Sequence, residues 1–218
     1  MTDLVLFGTG AAARTVAVYL DRHSDYRIVG YTVDAAFRDR DRLDGRPVVD
    51  WEDLERHFPP GAVELFGPFS YARMNGLRRD RYREGKARGY RFASFLHPAS
   101  HIYAETIGEN CLILEACVIQ PFVRIGDNVI VWSMTAIGHH CEIGDHCFIA
   151  SQVGLAGSVR VGAESYLGAR AAVVQGVSVG PGSALLNAAG VARDLPALSV
   201  VVGREIKPWP STRLHRLL

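Results

Sequence analysis

The chain of 218 residues has almost no net charge: 24 Lys and Arg stand against 23 Asp and Glu, a formal +1 at pH 7. No global field therefore directs it to nucleic acid or to an anionic membrane surface. It has no uninterrupted run of about eighteen apolar residues, so no membrane span is expected. It does not open with a basic segment, an apolar stretch and a small-residue cleavage site, so no secretory leader is expected either. Over its second half it also lacks the 3.6-residue period of an amphipathic helix and the two-residue alternation of a half-buried strand.

What that second half has is a period of six. An aliphatic residue stands at every sixth position from Ile107 through Ile113, Ile119, Ile125, Val131, Ile137, Ile143, Ile149, Leu155, Val161, Leu167, Val173, Val179 and Leu185 to Val191. Four residues after each of these comes a small or β-branched residue, among them Val123, Thr135, Ser165 and Ala189. One large and one small inward slot per six residues fit a chain wound as a prism, a hexapeptide β-solenoid. A third register, Gly108, Gly126, Gly144, Gly162 and Gly180, repeats every eighteen residues. Eighteen is three hexapeptides, so each coil has three sides and residues eighteen apart stack, over about five coils. Corner backbone angles that favour glycine are the expected reason for that column.

The four cysteines, Cys111, Cys117, Cys141 and Cys147, all occupy the small inward slot. They read as small core hydrophobes in a reducing cytoplasm. A disulfide framework or a zinc cluster is the competing reading.

Residues 1–95 form a different unit, ahead of the solenoid and tail of 96–218. Apolar runs Leu4–Phe7, Ile28–Val33, Pro47–Val49 and Val63–Phe66 alternate with helical patterns after Ala11 and from Trp51. That order predicts a small parallel sheet of three or four strands with crossover helices. The turn after the first run, Gly8-Thr9-Gly10-Ala11-Ala12-Ala13, lets a phosphate approach the start of a helix. Asp34, closing the second run, can accept hydrogen bonds from a base or ribose, and Gly67 closes the fourth. A nucleotide or nucleotide-sugar site is the reading taken. A ligand-free turn and an NAD site compete, the dinucleotide fingerprint being incomplete. Arg73, Arg78, Arg79, Arg81, Arg83, Lys86, Arg88 and Arg91 read as a solvated helix face, with phosphate contact by one or two of them as the alternative.

His139 and His140 follow the anchor Ile137, outside the packed prism and towards a corner. Stacking by eighteen sets Gly157 beside His139 and Ser158 beside His140. An imidazole can serve as general base near neutral pH, and a glycine one coil away can offer an exposed N–H to an oxyanion. Metal hydration, as in the trimeric γ-class carbonic anhydrases, is the alternative. Those place two histidines five apart and a third about two coils earlier. Here His140 and His146 are six apart, and Ala104 and Glu105 stand upstream.

With both halves read, the chain resembles the NeuD/PglD-type sugar acyltransferases over almost its whole length. The resemblance implies a Rossmann-like α/β nucleotide-sugar domain followed by a left-handed parallel β-helix. It also implies a homotrimer that binds acetyl-CoA or another acyl-CoA between prisms, uses no metal and serves surface-polysaccharide synthesis. By position, it makes His139 the base and Gly157 the amide at the thioester carbonyl. It puts Phe148, Ala169 and Asn187 at acyl-CoA contacts, and Gly8, Thr9, Gly10, Ala11 and Asp34 at the nucleotide sugar, Gly67 being counted with them. Arg204 and Lys207 are candidates for the CoA phosphates. His140 departs from the pattern, standing where an acidic residue commonly supports the base, so either Glu142 or a neighbouring subunit orients His139, or His140 shares the work. A non-catalytic trimeric module that senses a nucleotide sugar is the other reading kept open.

Overall fold

The computed structural model describes residues 1–203 and the backbone of 205–208. Its N-terminal sheet is built from β1 (Thr2–Phe7), β2 (Tyr26–Val33), β3 (Arg42–Leu43), β4 (Arg46–Asp50), β5 (Glu64–Phe66) and β6 (Arg91–Phe92), in the order β3-β4-β2-β1-β5-β6. β1 is central because Leu4, Val5, Leu6 and Phe7 are all buried, as a strand covered on both faces requires. β4, β2, β1, β5 and β6 run parallel, and β3 is antiparallel to β4. The sheet is therefore larger than the sequence suggested. Two-residue β6 has no apolar run to announce it; Phe92 is held from outside, 4.9 Å from the Tyr82 ring.

Three helices cross the sheet: α1 (Ala11–His23), the single turn α2 (Leu54–His57) and α3 (Gly76–Ala87). α1 buries Ala13, Val16, Ala17 and Leu20, one stripe at helical spacing.

From Phe95 to Val202 the chain is a left-handed parallel β-helix of three sheets. Face I stacks Phe95–Leu96, Leu112–Ile113, Ile130–Val131, Phe148–Ile149, Tyr166–Leu167, Ala184–Leu185 and Ser199–Val202. Face II stacks His101–Ile102, Val118–Ile119, Ala136–Ile137, Gly154–Leu155, Ala172–Val173 and Gly190–Val191. Face III stacks Thr106–Ile107, Arg124–Ile125, Glu142–Ile143, Arg160–Val161 and Ser178–Val179. The anchors pair eighteen apart, as Ile119 with Ile137 and Ile137 with Leu155. Their side chains and the four free, buried cysteines fill one continuous core.

The winding begins two sides before the unbroken period. Leu96 pairs with Ile113 and Ile102 with Ile119, each seventeen apart, because one residue is missing between Ile102 and Ile107. The His97-Pro98-Ala99-Ser100 segment thus already lies within the first coil.

The glycine column has a different cause from the one expected. Left-handed backbone recurs at every corner one position earlier than the small inward slot, at Asn110, Ala116, Phe122, Asn128, Met134, His140 and onward, and mostly without glycine. Gly108, Gly126, Gly144, Gly162 and Gly180 have no positive φ. They are needed because the next coil passes too close: a Cβ on Gly144 would lie 2.6 Å from the Ala163 nitrogen.

The outward residues distinguish the three faces. Face III carries ion-paired charge, such as Arg124–Glu105. Face II presents exposed Val118, Ala136, Ala172 and Gly190. Face I is covered: Leu112, Ile130 and Phe148 join one core with Leu4, Leu6, Val16 and Leu20 of the N-terminal unit. The basic stretch is only partly a solvated face: Arg73, Arg83, Lys86 and Arg91 are exposed, whereas Arg79, Arg81 and Arg88 are half-buried. Arg78 is fully buried, bonded to the carbonyls of Asn128, His146, Cys147 and Ser70 and to the Asn75 side chain. Burial pulls its guanidinium down to about 10. Arg79 pairs with Glu164 at 2.6 Å, and Tyr82 bonds Asp127 at 3.1 Å, so α3 is the clamp between the two units.

Candidate active site

At the carboxyl ends of β1 and β2 a cleft of about 400 Å³ is lined by Phe7–Ala13, Val33, Asp34, Phe37, Pro68, Phe69, Ser70 and Leu77. It brings Gly8, Thr9, Gly10, Ala11 and Asp34 together. Gly10 caps α1 without a side chain, and no acidic residue occupies the first turn. The first N–H groups of the helix thus face the cleft unpaired by side chains, a setting suited to phosphate. Phe37, Phe69 and Leu77 supply apolar walls. Asp34 is not free: its Oδ1 accepts from Arg81 Nε at 2.8 Å. Gly67 does not line this cleft. Its N–H and carbonyl are both engaged by the Asn110 side chain, each at 2.9 Å, so it ties β5 to the solenoid instead.

The second site is at the corner between faces II and III. A groove of about 370 Å³ is lined by Val118, Gln120, Ala136, Ile137, Gly138, His139, Leu155, Ala156 and Gly157. Both His139 and His140 are exposed. The His139 ring lies over Gly157 so closely that a Cβ there would meet its Cε1 at 2.5 Å and Nε2 at 2.7 Å. The His139 backbone is fixed by the Gln120 Oε1, which accepts its N–H at 2.8 Å. The corner amides of Glu109, Asp127 and Ala169 are each capped by a side chain one coil on, from Asp127, Asp145 and Asn187. The Gly157 N–H has no such cap among the described residues, so it is available to an incoming oxygen.

Next to this ring stands His140, not an acid. The two Nδ1 atoms are 3.1 Å apart and the rings meet edge to face. His140 packs on Phe122, with ring centroids 4.7 Å apart. Glu142 belongs to face III, where it pairs with Arg160 at 3.6 Å. His146 is at a different corner, buried under α3 and bonded to Asn128. Among the described residues no three metal-ligating side chains converge.

The remaining candidates lie elsewhere. Phe148 is only 5% exposed and faces the N-terminal unit, stacked on Tyr166 and edge-on to Tyr71, so it does not border the His139 groove. The hexapeptide period gives its position on face I but not that this face is covered. Ala169 and Asn187 sit at the corner between faces I and II, the opposite edge of face II from His139. The Ala169 N–H is taken by Asn187 Oδ1 at 3.0 Å. Arg204 lies outside the described residues, as does the side chain of Lys207.

Sequence reasoning missed Gln120 and Phe122, and it read Arg81 as part of a solvated helix face. Phe122 is exactly one coil before His140 and was there to be read from the eighteen-residue register. Gln120 is nineteen residues before His139, in the column of Gly138 rather than that of His139, and Arg81 reaches Asp34 only through the tertiary fold.

Comparison with known proteins agrees with this architecture. Residues 106–139 match the family model for the bacterial transferase hexapeptide (six repeats). The solved acetyltransferase domain of PglB from Neisseria gonorrhoeae, in complex with acetyl coenzyme A, superposes with a TM-score of 0.79 at 23% identity, covering 95% of this chain and 98% of that one. PerB from Caulobacter crescentus, in complex with CoA and GDP-perosamine, gives 0.81 at 26% identity, with the same coverage of 95% and 98%. WeeI from Acinetobacter baumannii gives 0.80 at 18%, covering 96% and 100%. No curated protein matches by sequence. Among the described residues no helix is long and apolar enough to cross a membrane.

Proposed function

We propose that this protein transfers an acyl group, acetyl in the first instance, from acyl-CoA to an amino or hydroxyl group of a nucleotide-linked sugar. The observation that carries the reading is the His139 ring over the uncapped amide of Gly157 in an open groove. PglB bound to acetyl-CoA and PerB bound to CoA and GDP-perosamine, both of this fold, support the donor and the acceptor class. The small side chains of Ala136 and Ala156 and the glycines Gly138 and Gly157 in the groove leave room for a thioester.

In the reaction, His139 Nε2 takes the proton of the acceptor amine or hydroxyl as it attacks the thioester carbon. The Gly157 N–H donates to the oxyanion of the tetrahedral intermediate. Collapse breaks the C–S bond, and the Nε2 proton passes to the departing thiolate, so protons balance within one turnover. No cysteine takes part: all four thiols face the core, with Cys111 and Cys147 pushed up to about 12 by burial.

The acceptor's nucleotide occupies the cleft beneath Gly8–Ala13 and Asp34. That cleft belongs to the unit covering face I, whereas His139 stands at the corner between faces II and III, across the prism. A sugar held in one copy is therefore presented to the His139 of a neighbour. This supports a homotrimer that closes through its exposed face II edges and brings Ala169 and Asn187 of one prism towards the His139 groove of another. A cytoplasmic setting, where acyl-CoA and nucleotide sugars occur together, completes the reading. Calorimetric titration with acetyl-CoA and a panel of nucleotide-linked amino sugars, followed by mass analysis of the sugar, tests it. The expected result is binding of both and an acetylated sugar. Sugar binding without any affinity for CoA would replace it with a non-catalytic nucleotide-sugar sensor.

A further inference from the structure

We propose that His140 is the positioning residue of His139: it accepts the hydrogen on His139 Nδ1, leaving Nε2 as the basic nitrogen, and Phe122 holds it in place to do so. The inference rests on the acyl-transfer reading above and concerns the partner of the base, where no carboxylate among the described residues bonds the His139 ring.

Three features of the corner support it. First, the two Nδ1 atoms are 3.1 Å apart, and a hydrogen bond across that gap requires one ring to donate and the other to accept. Once His139 has taken a proton at Nε2, both of its nitrogens carry hydrogen, and only one arrangement remains: His139 donates and His140 accepts. The pair is thus built for the protonated state of His139. Second, no other side chain or carbonyl among the described residues hydrogen-bonds the His139 ring, and Glu142 is occupied by Arg160 on face III. Gln120 engages the backbone of His139, not its ring. Third, the Phe122 side chain, 58% exposed in the single chain, lies against the His140 ring at this corner. Its contact with the His140 ring, tilted at 33°, restricts how that ring turns.

An uncharged acceptor does part of what a carboxylate does. It fixes the tautomer and ring orientation and stabilises the imidazolium by a hydrogen bond, without placing an anion beside it. During turnover the Nδ1 hydrogen stays shared between the rings while the Nε2 proton goes from acceptor to thiolate, so both rings end neutral.

Three substitutions of His140 separate the role from mere structure. His140→Phe keeps a ring but no acceptor; kcat is expected to fall by about ten- to a hundredfold with KM for acetyl-CoA unchanged. His140→Asn puts an amide oxygen where Nδ1 was and recovers most of that loss. His140→Glu introduces an anion and moves the acid limb of kcat/KM to higher pH than in the wild type. Long-range 1H–15N correlation spectra of the imidazoles, recorded without substrate, give a readout independent of turnover. The His139 nitrogen pattern should change between wild type and His140→Phe, and a smaller change should follow Phe122→Ala. Wild-type kcat in His140→Phe, an equal loss in His140→Asn, or an unchanged His139 nitrogen pattern would each overturn the proposal. A wild-type protein with no transferase activity but with the coupled nitrogen pattern would instead retire the acyl-transfer reading and leave the pairing of the rings standing.

Discussion

A single methyl group decides how His139 sits. Gly157→Ala would place a Cβ inside the imidazole, and the ring would have to move off the amide it covers. The substitution is expected to lower kcat about a hundredfold, the cost of roughly an ångström of misplacement, with little change in melting temperature because the corner is exposed. Steady-state kinetics with a parallel thermal melt check this. The cysteines give a second prediction at this scale. All four are fully buried, and burial raises each thiol, so the native protein should show no reactive thiol to a disulfide reagent and four after denaturation. The pairing of His139 with Gly157 was legible in the sequence because stacking by eighteen is rigid. The edge contact with His140 was not, since ring rotation at an exposed corner leaves no periodic trace.

Helix α3 shows what periodicity cannot supply. Its arginines read as a solvated face, yet Arg78 is buried against carbonyls from two coils of the solenoid, and Asn75 donates to two more. Corner residues in left-handed backbone, Asn128 and His146 among them, turn carbonyls outward, and a guanidinium with several donors can gather them. Nothing in the helix's own sequence announces that. Arg78→Leu leaves those carbonyls unpaired and is expected to cost at least about 2 kcal/mol, seen as a melting temperature several degrees lower. The same contact makes the clamp sensitive to acid. Burial, and then the Arg78 charge, hold the His146 imidazole below its ordinary value, and burial and His23 do the same to His97. For a base depressed in the folded state, the unfolded chain binds the proton more readily. The stability is therefore complete above about pH 6.5 and is lost as pH falls below it. Melts at about pH 7.5 and about pH 5 should show the lower temperature on the acid side; an equal or higher one would count against buried neutral imidazoles.

For the whole molecule, the winding was readable and its surroundings were not. Anchors from Ile107 to Val191 specified three sides and their stacking, because a prism core repeats the same demand at every coil. Which side the N-terminal unit would cover depends on shape complementarity between Leu112, Ile130, Phe148 and that unit, so the period alone does not show that Phe148 is buried there, away from the His139 groove. The unit that holds the cleft covers face I, whereas His139 stands at the corner between faces II and III. On the trimer proposed above, mixed oligomers of His139→Ala with a variant blocked in the cleft, such as Gly10→Trp, should regain activity that neither variant has alone. The central claim is that His139 drives acyl transfer to a nucleotide-linked sugar, and it is tested most directly by the rate of CoA thiol release from acetyl-CoA in wild type and His139→Ala. The account predicts release that requires a nucleotide-linked amino or hydroxyl sugar and falls by about 10²–10⁴-fold in the variant. Release within a few-fold of wild type in His139→Ala, or no sugar-dependent release from the wild type, would contradict it.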